Sequence, residues 1–190
     1  RSLPDALPIL LPRSFYTRDT KKGAIELLGK VLCVKRGRKV IRAYIVETEA
    51  YLGVEDPAAH SYGDRRTART EVMYGNGGHS YVYLLYGMST RFNVVTQSEG
   101  EPHAVLLRGV ELLDGKSEKT NGPGKLCRVM GIDRTFNGLD LTETKKIWIE
   151  EADEKLKFKV IKAARVGVDY AGAAAGWPLR FYISGHPQVS

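Results

Sequence analysis

The stretch "VIRAYIVETEAY" alternates its side chains with the period of a strand, so Ile45, Glu47, Glu49 and Tyr51 share one face and Tyr44, Val46, Thr48 and Ala50 the other. With "KVLCV" before it and the polar "KRGRK" between, it predicts a β-hairpin. The preceding "TRDTKKGAIELLGK" has helical spacing instead. Ala24, Ile25, Leu27 and Leu28 form its apolar stripe, Asp19 or Thr20 can cap its start, and Gly29 stands where a glycine would close its end. "HSYVYLLY" and "TRFNVVTQ" predict a second strand pair turning around Gly87, and "EPHAVLLRGVEL" a further strand. "NGPGKLCRVMGID" predicts a short helix from near Pro123 to Gly131, with Lys125 and Arg128 one turn apart. "KIWIEEA", "KFKVIKAARVGV" and "LRFYIS" supply the remaining strands, the last preceded by the glycine-alanine stretch "AGAAAG". Many strands, few helices and no βαβ alternation predict an α+β fold on a largely antiparallel sheet.

A chain of 190 residues fits one domain, with residues 11–190 expected to form it and residues 1–10 to be an added or processed extension. Prolines interrupt "RSLPDALPILLP", which spoils it as a signal peptide, and no apolar run reaches the ~18 residues that span a bilayer. The expected protein is soluble and intracellular, nuclear in a eukaryote and cytoplasmic or nucleoid-associated in a bacterium. Cys33 and Cys127 are far apart and outside any Cys/His cluster, so neither a disulfide framework nor a zinc site is expected. Lysine and arginine number 29 against 22 acidic residues, a net charge of +7, which makes a polyanionic partner reasonable without requiring one.

Chemistry concentrates in few places. From Leu52 to Ser80 the chain is rich in glycine and charge, with Arg65, Arg66 and Arg69 in "DRRTAR", and a long irregular segment inside a compact domain is usually functional. Glu47 and Glu49 repel each other across one strand face unless hydrogen bonds or water intervene, and a carboxyl of raised pKa suits a general base. Tyr51 beside Glu49 adds an aromatic surface. The histidines lack metal-ligand spacing, and "GNGG" is no phosphate-binding loop, so neither metal nor cofactor is expected. In "YVYLLYGMSTRFN", Tyr81 and Tyr83 would point one way and Tyr86, next to Gly87, the other. Three core or turn aromatics would explain this, but a tyrosine at the tip of a hairpin in a basic protein can also wedge into a base stack. Tyr83 and Tyr51 could then hold the extruded base.

Together "IVETEAYLGVEDPAAHS", "YVYLLYGM" followed by Asn93, "AVLLRGVE", "GPGKLCRVMGID" and "RVGVDYAG…PLRFYISG" resemble the alkyladenine (3-methyladenine) DNA glycosylase family over nearly the whole chain. The resemblance implies a compact domain on a curved sheet with a protruding hairpin that intercalates into DNA. It implies a monofunctional enzyme that flips alkylated or deaminated purines from duplex DNA and hydrolyses the N-glycosidic bond, acting as a monomer without cofactor. By the same resemblance Glu49 activates the water, while Arg108 and the main-chain carbonyl of Val166 help hold it. Tyr51, His60 and Tyr83 enclose the flipped base, Asn93 excludes guanine by obstructing its 2-amino group, and Tyr86 fills the vacated stack. Glu47 and Met73 receive no role. Arg65, Arg66, Arg69, Lys125 and Arg128 are candidates for phosphate contacts. The main rival is a non-catalytic nucleic-acid binding module, which has no use for a buried carboxylate facing phosphates. A small-molecule hydrolase using Glu47 and Glu49 would leave the arginine cluster and Tyr86 without purpose.

Overall fold

The computed structural model describes residues 8–190. Among these, the α-helices are α1 (Arg13–Tyr16), α2 (Thr20–Glu26) and α3 (Pro123–Met130). The strands are β1 (Val31–Arg36), β2 (Lys39–Tyr51), β3 (Ser80–Leu85), β4 (Ser89–Thr96), β5 (His103–Leu112), β6 (Ile147–Glu150), β7 (Val160–Ala163) and β8 (Arg180–Ile183). Short 3-10 turns punctuate the segment between β2 and β3 and form the glycine-alanine stretch Asp169–Gly176. The fold is α+β on a curled antiparallel sheet, as the strand-rich pattern predicts.

The sheet runs β3, β4, β5, β2, β1, β6, with β8 pairing both β2 and β7. Its axis is β2. One edge of that strand follows β5 along most of its length; the other pairs with β1 at its start and with β8 from Glu47 to Glu49. The pairing with β5 is irregular at Glu47, opposite Gly109. A Cβ at Gly109 would collide with the carbonyl oxygen of Gln188, so the missing side chain lets the segment after β8 cross the sheet beside Glu47. That crossing becomes part of the site.

The Asp19 carboxylate caps α2 by accepting the Lys22 amide N–H at 2.9 Å. The helix ends at Glu26 with Leu27 as its cap, so Gly29 does not stop it as the sequence predicts. Instead the Gly29 amide donates to Ile45 O at 2.8 Å, and its positive φ carries the chain into β1. α3 does end as predicted, at Gly131 in the left-handed conformation (φ 77°). The main core gathers Leu32, Ile45, Phe92, Leu107, Leu126 and Phe181, all fully buried. Each such side chain contributes about 1.5–3 kcal/mol through burial. At the N-terminal side, Leu10 bridges to Glu150 and the Leu11 amide donates to Ile149 O at 3.0 Å, so the chain joins the sheet from there. Most of the expected 1–10 extension lies outside the described residues.

Candidate active site

The end of β2, strands β4 and β5, the tip of the β3–β4 hairpin and the loop after β7 wall a cavity of about 320 Å³. Tyr51, His60, Tyr83, Asn93, Arg108 and Val166 all line it. Glu49 is fully buried immediately behind, and its carboxylate is held by residues that do line it. Tyr51 OH donates to Oε1 at 3.0 Å, the Val166 amide N–H donates to Oε2 at 2.7 Å, and Arg108 Nη1 lies 3.5 Å from Oε1. For Val166 the sequence-level expectation concerned its carbonyl; the contact to Glu49 is through its amide. Burial raises the Glu49 pKa, opposed by Arg108, the Val166 amide and the Tyr51 hydroxyl, while Glu47 raises it further. Burial and the neighbouring Glu49 also lift the Tyr51 phenol well above its usual range, keeping it a donor.

Strand alternation brings Glu47 to the same side as Glu49, but it is engaged rather than free. Its carboxylate accepts from Ser190 N–H at 2.6 Å, Ser190 Oγ at 2.8 Å and Arg180 Nη1 at 3.2 Å, with Arg108 Nε at 3.4 Å.

Aromatic rings form the cavity's other wall. His60 meets Tyr83 edge-on with centroids 4.7 Å apart, and Tyr81 lies 5.3 Å from Tyr83. His60 Nδ1 and Tyr81 OH are 2.8 Å apart. Burial, with Arg69 and Arg65 nearby, lowers the His60 pKa to about 4, so it is neutral at physiological pH. The Arg69 guanidinium sits 4.7 Å from the Tyr83 ring centre. Asn93 is buried and its Nδ2 donates to Tyr81 O at 3.1 Å.

Tyr86 departs from simple alternation. It does not point away from Tyr83 but lines the same cavity, because it occupies a left-handed conformation (φ 52°) followed by Gly87 (φ 69°). The Met88 amide closes this tight turn onto Leu85 O at 3.2 Å. Tyr86 is 87% exposed, and Met88 beside it is exposed too.

Arg65, Arg66, Arg69, Lys125 and Arg128 are all exposed. Arg66 is partly occupied by Glu71, at 2.7 and 2.9 Å. Lys125 and Arg128 border a groove that Met88 also lines, and Arg69 borders another beside Tyr83 and Gly87. Arg134 completes that second groove and was not anticipated from the sequence. Among the described residues, no group of three His, Cys, Asp or Glu side chains could hold a metal, and no helix is long and apolar enough to cross a membrane.

Sequence reasoning also missed Met73 and Tyr170, which line the cavity, and the Arg165–Asp56 pair behind it. Tyr170 OH bridges to Ala58 O at 2.9 Å, tying the loop after β7 to the one after β2. Arg165 is fully buried; its Nη1 donates to Asp56 at 2.5 Å and Ala50 O at 3.0 Å, and its Nη2 to Asp56 at 2.9 Å. Its guanidinium lies 4.9 Å from the Tyr51 ring centre. Burial works against charge on Asp56, but Arg165 and the amides of Leu52 and Ala58 outweigh it and lower the pKa. A lone arginine inside the apolar "AARVGV" was the available signal.

The cavity is aromatic, backed by a buried carboxylate and bordered by an exposed tyrosine. Residues 14–187 match the family profile described as methylpurine-DNA glycosylase. A protein of Bdellovibrio bacteriovorus named "Putative 3-methyladenine DNA glycosylase" is 50% identical over 190 residues, 96% of this chain and 99% of its own. A Desulfitobacterium hafniense protein of the same name is 48% identical over 95% of this chain and 98% of its own, and one from Clostridium novyi 42% identical over the same shares. The chain belongs to the methylpurine-DNA glycosylase family, and its enzyme class is DNA glycosylase.

Proposed function

We propose that this glycosylase acts as a monomer on damaged duplex DNA and excises alkylated or deaminated purines of the 3-methyladenine, 7-methylguanine, hypoxanthine and ethenoadenine class. The extruded base enters between Tyr51, His60 and Tyr83. Glu49 takes a proton from a water that attacks the sugar C1′; the N-glycosidic bond breaks, its electron pair leaves with the base, and an abasic site remains. Arg108 and the main-chain carbonyl of Val166 help hold that water. Tyr86 fills the vacated stack, and Asn93 obstructs the guanine 2-amino group.

The observation that carries this reading is Glu49: a fully buried carboxylate of raised pKa whose hydrogen-bonding partners line an aromatic cavity. Electron-rich ring faces favour a base that alkylation has made cationic. Such a base departs neutral and needs no acid. Tyr86 adds support, since an exposed non-glycine residue in the left-handed region is strained, and such strain tends to persist at functional sites. The test is a panel of duplexes, each carrying one hypoxanthine, ethenoadenine or N-alkylated purine. Free base and alkali-labile sites without direct nicking are expected; strand cleavage without alkali, or no release from any lesion, contradicts the reading.

A further inference from the structure

Glu47 has no part in the reaction above, yet it is fully buried and accepts from three residues, one of them Ser190 in the segment after β8. That segment is anchored along the sheet. Gln188 Oε1 accepts from Thr120 N at 3.0 Å, the Gln188 carbonyl fills the space a side chain at Gly109 would need, and His186 Nε2 lies 3.0 Å from Glu111. Ser190 is thereby held beside Arg108. Its hydroxyl donates to Glu47 Oε1 at 2.8 Å and accepts from Arg108 Nη2 at 3.0 Å and Nε at 3.3 Å. One proton and two lone pairs are all it has, and each is used. The Nε–Nη2 edge of Arg108 is therefore occupied, which leaves Nη1 as the group facing Glu49, 3.5 Å away.

We propose that Ser190 and Glu47 are positioning residues of the active site, which fix the Arg108 guanidinium so that Nη1 addresses Glu49 and the attacking water. The inference rests on the excision reading above. Glu49 is also faced by Tyr51 and Glu47 from β2 and by the Val166 amide, Arg165 and Tyr170 from the chain after β7, while Arg180, its backbone partner on β8, directs its guanidinium to Glu47. Of these groups only Glu47 is touched directly by changing Ser190, because its Oε1 accepts the Ser190 hydroxyl. A loosened Arg108 opposes protonation of Glu49 less well, so the acid limb of the pH–rate profile moves to higher pH.

The test is single-turnover hypoxanthine release across pH by the whole protein carrying Ser190→Ala or Ser190→Thr, with Tm measured alongside. Ser190→Ala is expected to lose roughly 10-fold in rate, the size seen when an outer hydrogen-bond partner of a site is removed, and to shift the acid limb upward at near-parent Tm. Ser190→Thr, which keeps the hydroxyl, should restore both. Ser190→Cys fills similar volume with a weak acceptor and reads the same point if the alanine variant melts below the assay temperature. An unshifted limb in a folded Ala or Cys variant, or a pH-independent loss shared by Thr, overturns the positioning role. Glu49→Gln run in parallel separates the two levels. If it is inactive while the Ser190 limb stays put, only the positioning role fails; if it releases base at the parent rate, the excision reading fails.

Discussion

Tyr86→Gly should stabilise the protein while impairing it on intact duplex. In the left-handed region an L-residue costs about 1–2 kcal/mol, which glycine does not incur. Glycine's greater freedom in the unfolded chain takes back roughly 0.5–1 kcal/mol. Almost no packing is lost, because Tyr86 is 87% exposed. The net gain is about 0–1.5 kcal/mol, and at ~2–4 °C per kcal/mol for a chain of this size Tm rises by up to about 6 °C. Function should move the other way. Opening a base step costs a few kcal/mol, and a wedge that offsets ~1.4–2.8 kcal/mol of it is worth roughly 10–100-fold in rate. Single-turnover release of hypoxanthine from matched duplex should fall by that factor, whereas release from single-stranded DNA should change by less than about 3-fold. A fall in Tm would show that the ring packs in solution. Equal losses on both substrates would refute the wedge.

Other variants test separate parts of the site. Asn93→Ala loses the hydrogen bond to Tyr81 O, a cost of about 1 kcal/mol or ~2–4 °C in Tm, and should raise guanine release relative to hypoxanthine from otherwise identical duplexes; an unchanged ratio in a folded variant makes Asn93 structural. Arg165→Met leaves the Asp56 carboxylate buried without its counter-charge, so thermal unfolding should drop by about 6–20 °C, corresponding to roughly 3–5 kcal/mol. A shift below about 2 °C would mean the pair is not maintained in solution. Binding to undamaged duplex should weaken along a log-log salt line, and Arg69→Gln should flatten its slope by about 1. Arg66→Gln should flatten it less, because Glu71 already holds that guanidinium; the reverse order would refute the assigned surface.

Local periodicity made most elements legible, including both ends of α3 and the strand face that joins Glu47, Glu49 and Tyr51. Long-range pairing was not legible in the same way. That β2 exchanges β1 for β8 as its neighbour depends on residues 180–182 meeting 47–49, and no local pattern encodes that meeting. Gly29 was misassigned for a similar reason: the bond from its amide to Ile45 O belongs to the turn into the sheet, not to the helix. Tyr86 broke alternation because the turn, with its positive φ, overrides strand period. Within the site, strand period alone related only the two glutamates and Tyr51; the assignments of His60, Asn93, Arg108 and Val166 came from the family resemblance. Arg165 and Asp56 stand 109 positions apart, and Ser190 and Glu47 stand 143 apart, so their pairing becomes visible only once the sheet has closed.

If Glu49 is the proton acceptor for the attacking water, Glu49→Gln should nearly abolish release and leave binding. The amide can still accept from the Val166 N–H and donate to the Tyr51 oxygen, so the cavity keeps its shape while the proton acceptor is lost. Binding to a hypoxanthine duplex and single-turnover base release should be measured on the same preparation. Binding is expected to stay within about 3-fold of the parent and release to slow by roughly 10²–10⁴-fold, the usual contribution of a general base. Release near the parent rate by the folded Glu49→Gln variant, with the same result from Glu49→Ala as a control, would contradict that role.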